Sequence, residues 1–139
     1  MLQAQYKDLL QHPDIRFDVP ENGGYIEVKD AATHDTLAWV KSHDRASVEQ
    51  VIARSQKAQT AWKAQTALQR ADVLWAWFDL MQENKESLAQ ILTAEQGKPL
   101  AEARGEIGYA ASFIRWFAEQ ARRIDGEVLT PTLPNQRLL

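Results

Sequence analysis

The sequence predicts a mostly α-helical chain that carries an N-terminal β-hairpin. Two short strand-like runs flank a polar turn between Tyr25 and Val40. From Asp44 onward the apolar residues recur with a period near 3.6, the helical period, rather than near 2. Gly97 and Pro99 stand where one helix ends and the next begins. At 139 residues, 45% hydrophobic and 25% charged, with 6 Gly and 5 Pro, the chain is globular in class rather than low-complexity or collagen-like.

Residues 1–22 are polar and irregular, with a short helix expected over Gln3 to Gln11 and stopped by Pro13. The hairpin is expected over 24–41. Tyr25, Ile26 and Val28 form one arm, Leu37, Trp39 and Val40 the other, and Asp30 to Asp35 the turn. A first helix over 44–62 places Val48, Val51, Ile52, Ser55, Ala58, Gln59 and Trp62 on one face, with Asp44 or Ser47 as its N-cap. Thr66-Ala67-Leu68-Gln69 fits a capping box and opens a second helix over 66–83. Asn84 is the expected cap of a third helix over 84–97, closed by Gly97 in the left-handed conformation. Pro99 opens a fourth helix that reaches Ile124. Val128 onward reads as extended, and the apolar run at the end, Asn135 to Leu139, reads as the start of a strand.

Two of these helices are apolar on more than one side. In the second, Ala71, Leu74, Trp75, Phe78 and Met81 share one face, while Val73, Trp77 and Leu80 cover another. In the fourth, Ile107 to Ala118 holds only Ser112 and Arg115 as clearly polar residues. Helices apolar all round are expected to be buried all round. Four helices and a hairpin offer too little to cover both. The alternative is a compact bundle with some exposed aromatics.

Composition excludes several functions. A net charge of −3 and a pI near 5.6 give no basic footprint for nucleic acid. With no Cys there is no disulfide scaffold, thiolate metal site or cysteine nucleophile in the chain. His12, His34 and His43 lack metal-ligand spacing, and the acidic residues form no metal pattern, so no metal site is expected. The N-terminus lacks the basic and apolar regions of a signal peptide. No apolar run approaches the ~20 residues of a membrane span. A cytoplasmic location without a membrane partner is the expectation.

From Ala61 to Leu139 the chain resembles the N-terminal part of the aldehyde dehydrogenase superfamily. The resemblance is carried by Trp62, Arg70-Ala71 and above all the run from Glu95 to Ala103, EQGKPLAEA. Gly105-Glu106-Ile107, Tyr109 to Phe113, Trp116 to Glu119, Arg123, Gly126 and Pro134 to Arg137 continue it. It is closest to the succinate-semialdehyde branch, with glutarate-semialdehyde enzymes next. The hairpin fits more loosely, its turn reading Asp30-Ala31-Ala32-Thr33-His34. The resemblance implies an α/β parent fold. Residues 1–127 would be the N-terminal part of the cofactor-binding domain, and 128–139 the start of an arm that oligomerises in the family. It implies NAD or NADP as cofactor of the parent enzyme, a small aldehyde as substrate and a homo-oligomer.

The family's catalytic Cys, Glu and Asn and its nucleotide-binding Lys and glycine turn lie beyond the position matching Leu139. The resemblance therefore implies no catalytic and no cofactor-binding residue here, and a fragment inactive by itself. Two other readings stay open: a non-catalytic helical interaction module that associates with a full-length relative, and an autonomous helical protein of shared ancestry.

Tyr109, Phe113 and Trp116 fall within one arc of the fourth helix at i, i+4 and i+7. Core packing is one reading. The resemblance supplies the other, in which Tyr109 and Phe113 line the entrance of the aldehyde tunnel. The pairs Trp75 with Trp77 and Trp116 with Phe117 read as core. Glu95 to Pro99 is a helix stop and start, since a phosphate loop needs more glycines and a following Ser or Thr. Glu102, Arg104 and Glu106 read as a solvated or interdomain salt-bridge face. Gly105 and Gly108 each cost about 1 kcal/mol in a helix interior, and a closely packed backbone is expected beside them.

Overall fold

The computed structural model describes residues 7–135. Asp8–Leu10 form one 3-10 turn, and the rest of the helix expected from Gln3 begins outside the described residues. Three strands follow: β1 (Ile15–Arg16), β2 (Tyr25–Lys29) and β3 (Thr36–Lys41). They form an antiparallel sheet in the order β1-β3-β2. Ile26 stands opposite Val40 on one side of β3, and Ile15 opposite the same residue on the other.

Strand β1 lies within residues 1–22, a segment with no strand pattern in its sequence. Two residues after a proline carry no alternation, so its pairing comes from β3 and not from its own pattern.

The hairpin turn is built by Asp30. Its carboxylate accepts from the Ala32 and Thr33 N–H groups at 2.8 and 3.0 Å, an Asx-type turn. Those donors, Thr33 first, hold the Asp30 carboxyl below the usual range. His34 then takes a positive φ of 64°, and Asp30 N–H closes the turn onto Asp35 O at 2.8 Å.

Helix α1 (Arg45–Ala64) starts at Asp44, which caps the Ser47 N–H at 2.8 Å. Helix α2 (Ala67–Glu83) opens with both bonds of the Thr66–Gln69 capping box. Helix α3 (Lys85–Gln96) has no side-chain cap. Asn84 instead turns back, its Nδ2 donating to Leu80 O at 2.8 Å. Asn84 does stand at the N-cap of α3, where its carbonyl accepts the Leu88 N–H at 2.9 Å, but its side chain finishes α2. A single linking residue has one amide, and here it serves the carbonyl behind it.

Gly97 ends α3 at φ 76° and donates to Thr93 O at 2.8 Å. Pro99 is the N-cap, not the first residue, of α4 (Leu100–Gln120). Its carbonyl takes the Glu102 and Ala103 N–H groups at 3.0 Å. Helix α4 stops at Gln120, short of Ile124.

Alanine forms the core. Ala71 of α2, Ala89 of α3 and Ala103, Ala111 and Ala118 of α4 are buried, as are Leu37 and Ala38 of β3. Small side chains let the three helix axes approach closely, at the expense of apolar area per residue. The sheet meets α3 where Ala31 N–H donates to Ala94 O at 2.9 Å.

The aromatic residues read as core are not in it. Trp77 is 55% exposed and Trp116 57% exposed, and Phe117 and Trp75 are exposed too. Among the described residues no large side chain is fully buried, and no helix is long and apolar enough to cross a membrane.

Candidate functional site

Helix α4 offers the surface on which the candidate residues meet. Its buried alanines, at 103, 111 and 118, fix the inward face. Tyr109, Phe113 and Trp116 stand on the opposite arc and are exposed, Tyr109 by 66%. They are not core. Tyr109 and Phe113 pack edge to face, with ring centroids 4.8 Å apart and planes at 79°. That geometry sets the positive edge of one ring against the face of the other. With Ser112, Arg115, Trp116 and Phe117 they line an open groove of about 440 Å³. Ser112 Oγ is taken up by Tyr109 O at 2.6 Å. Arg115 leans toward α2, its guanidinium carbon 5.8 Å from the Phe78 ring centroid. The groove is thus an aromatic wall whose Ser112 hydroxyl serves the backbone of α4 and whose Arg115 faces α2.

Ion pairs hold α4 in place. Arg104 grips Glu86 of α3 through Nε and Nη2 at 2.7 and 2.8 Å, a two-pronged contact. Arg104 and then Gln90 pull the Glu86 carboxyl down to about 2. Lys98 pairs with Glu106. Arg104 and Glu106 thus join an inter-element clamp whose acid on α3, Glu86, carries no sequence signal beyond its charge.

The glycines of α4 differ from expectation. A Cβ at Gly105 would meet nothing within 4 Å, and one at Gly108 would meet the flexible end of Lys85, Nζ at 3.3 Å. Among the described residues no backbone outside α4 comes within 4 Å of either Cβ position.

Two further concavities lie near the sheet. Leu10, Ile15, Val28, Leu37, Val40 and Ile91 line an apolar cavity of about 130 Å³ between sheet and α3. On the other side, His43 Nε2 lies 3.2 Å from Asp14 Oδ2, His12 Nδ1 lies 3.8 Å from the same oxygen, and Lys41 Nζ lies 4.0 Å from Oδ1. Residues far apart in sequence meet here because β1 pairs with β3. Two-residue β1 carried no signal, so the cluster was illegible. Among the described residues no group of His, Asp and Glu could hold a metal.

Residues 19–138 match the Aldehyde dehydrogenase family. The chain is 47% identical over 119 residues to a glutarate-semialdehyde dehydrogenase of Pseudomonas putida, covering 86% of this chain and 25% of that protein. It is 45% identical over 118 residues to the NADP(+) succinate-semialdehyde dehydrogenase of Escherichia coli, covering 85% and 24%. Among solved structures, the succinate-semialdehyde dehydrogenase of Burkholderia pseudomallei aligns with TM-score 0.77 at 48% identity, over 81% of this chain and 23% of that one. An aldehyde dehydrogenase of Brucella melitensis aligns with TM-score 0.80 at 44% identity, over 88% and 25%. The chain spans about a quarter of the length of the curated relatives it matches. With the family matched over most of the chain and solved relatives superposing on more than four-fifths of it, the chain belongs to the aldehyde dehydrogenase family, corresponding to its amino-terminal part.

Proposed function

We propose that this chain provides the amino-terminal quarter of an NAD(P)-dependent enzyme that oxidises a short carboxylated aldehyde, succinate semialdehyde or its glutarate homologue, to the acid. The observation that carries the reading is the 45–47% identity to enzymes named for those two substrates. A bound nicotinamide would supply the hydride acceptor for that oxidation, and water the second oxygen of the acid. The chain has no thiol to attack that carbon. Among the described residues no glycine turn leads into a helix N-terminus to cradle a pyrophosphate, α4 being opened by Pro99. We assign the nucleophile and the cofactor site to other residues of the whole enzyme.

The part we assign to this chain is positional. The edge-to-face pair of Tyr109 and Phe113 supplies one wall of the aldehyde entrance. It excludes water from the path and steers a short chain by apolar contact. Residues 1–127 belong to the cofactor-binding domain, and 128–139 open the arm through which the enzyme oligomerises.

The test is a chimera in which this chain replaces the matching part of the Escherichia coli enzyme. NADPH formation from succinate semialdehyde is expected. Tyr109→Ala is expected to raise KM about tenfold, the equivalent of ~1.4 kcal/mol, at unchanged kcat. The 139-residue chain alone is expected to form no NAD(P)H. A folded chimera inactive on both semialdehydes overturns the reading.

A further inference from the structure

The cleft between the sheet and α1 gathers hydrogen-bond donors that the proposed reaction does not use. Asp14 is its hub. The Asp14 carbonyl takes the Lys41 N–H at 2.8 Å. Its carboxylate pairs with His43 at 3.2 Å and faces Lys41 Nζ at 4.0 Å. The Asp14 N–H in turn donates to His12 Nδ1 at 3.2 Å. A backbone N–H only donates, so Nδ1 is the acceptor and His12 Nε2 carries the hydrogen. Helix α1 forms the facing wall. Gln50 and Arg54, four positions apart, share one face of that helix. They line the same cleft, of about 390 Å³. Among the described residues neither has a hydrogen-bond or ion-pair partner.

Charge decides the class of ligand. Asp44 stands nearby, but its carboxylate is taken up by the Ser47 side chain and N–H at the start of α1. Within the cleft Asp14 is the single carboxylate, against the ammonium of Lys41 and the guanidinium of Arg54. One positive charge is left unmatched, with the neutral donors of His12 and Gln50 beside it. We propose that this cleft binds a compact oxyanion, the phosphate or carboxylate group of a small metabolite. Arg54 supplies the planar fork of donors that such a group accepts two at a time, and Lys41 a point charge. His12 Nε2 and the Gln50 amide complete the set. The two cations stand on different elements, β3 and α1, so an anion between them is held from both walls. Arg122 and Arg123 also share a concavity, but there both cations come from one segment, with Glu119 beside them. The proposal is independent of the semialdehyde reading, since none of these residues belongs to the groove of Tyr109 and Phe113.

Amide NMR on the full isotope-labelled chain tests this, at fixed pH and ionic strength. Inorganic phosphate, succinate and chloride are titrated in separate series. Saturable shifts centred on Lys41, His43, Gln50 and Arg54 are expected with at least one of the two oxyanions and not with chloride. Tighter binding of phosphate assigns the site to a phosphorylated metabolite, and tighter binding of succinate to a carboxylate; either supports the proposal. Arg54→Ala is expected to weaken that affinity about tenfold, and Arg54→Lys to restore part of it. Arg54 is exposed on its helix, and alanine is the better helix former. The variant therefore keeps the fold, which the unchanged remainder of its spectrum reports. Shifts that fail to saturate, that chloride reproduces, that gather instead at Arg122 and Arg123, or that persist undiminished in Arg54→Ala overturn the proposal.

Discussion

Glu86 shows how much one side chain's partners decide. Its ordinary carboxyl value is 4.5, and Arg104, then Gln90, draw it down to about 2 in the folded chain. A carboxyl depressed on folding contributes stability above its unfolded value. That contribution is lost as pH falls from about 4.5 toward 2. Because the pair is solvent-exposed, it is screened by salt. A carbon-detected NMR titration is expected to show a Glu86 midpoint well below 4.5, near 2. In Arg104→Ala that midpoint is expected to rise toward 4.5, and no movement means that Arg104 is not the cause. The same change is expected to flatten the acid limb of stability in that window.

Among elements, the two glycines flanking the α3–α4 junction make opposite predictions. Gly97 stands at φ 76°, and a Cβ there would lie 3.0 Å from the Ala31 side chain. Gly97→Ala combines left-handed strain of roughly 1–2 kcal/mol with that contact, and urea unfolding is expected to register a loss of at least that order. Gly105 sits inside α4 with open space around its Cβ position. Gly105→Ala is expected to stabilise the free chain by about 1 kcal/mol, the helix propensity difference. A loss at Gly105 in the free chain would mean an approach to α4 that the fold does not contain. The capping box behaves like other N-caps: Thr66→Ala is expected to cost about 1 kcal/mol.

For the whole molecule the ratio of surface to core governs behaviour. An alanine core contributes little apolar area per residue, and burying one large side chain instead stabilises by about 1.5–3 kcal/mol. With Trp77 and Trp116 outside, the free chain forgoes such terms while its backbone hydrogen bonds stay in place. It is therefore expected to keep full helical circular dichroism and yet bind a hydrophobic dye such as anilinonaphthalene sulfonate. Trp77→Asp with Trp116→Asp is expected to reduce the dye signal without loss of helicity. A wild-type chain that binds no dye contradicts this account of the surface.

Local chemistry was legible from the residues alone. Asp44, the Thr66–Gln69 box and Gly97 act through neighbours within four positions, so the sequence contains both partners of each contact. The hairpin and four helices followed, as did the family, whose pattern lies in the same segments. Three things needed the tertiary structure. Strand β1 exists because β3 offers it an edge, and with it came the His12–Asp14–His43 cluster. The Asn84 side chain turned to the helix behind it, while its carbonyl opened the one ahead. Helix α4 has two apolar faces, and periodicity assigns neither of them inward. Packing chose the alanine face, because small side chains let α2 and α3 approach, and left Tyr109, Phe113 and Trp116 outside. Periodicity reports that a face is apolar. Which apolar face is buried depends on the size of the side chains on the neighbouring helices, and that is decided only when they meet.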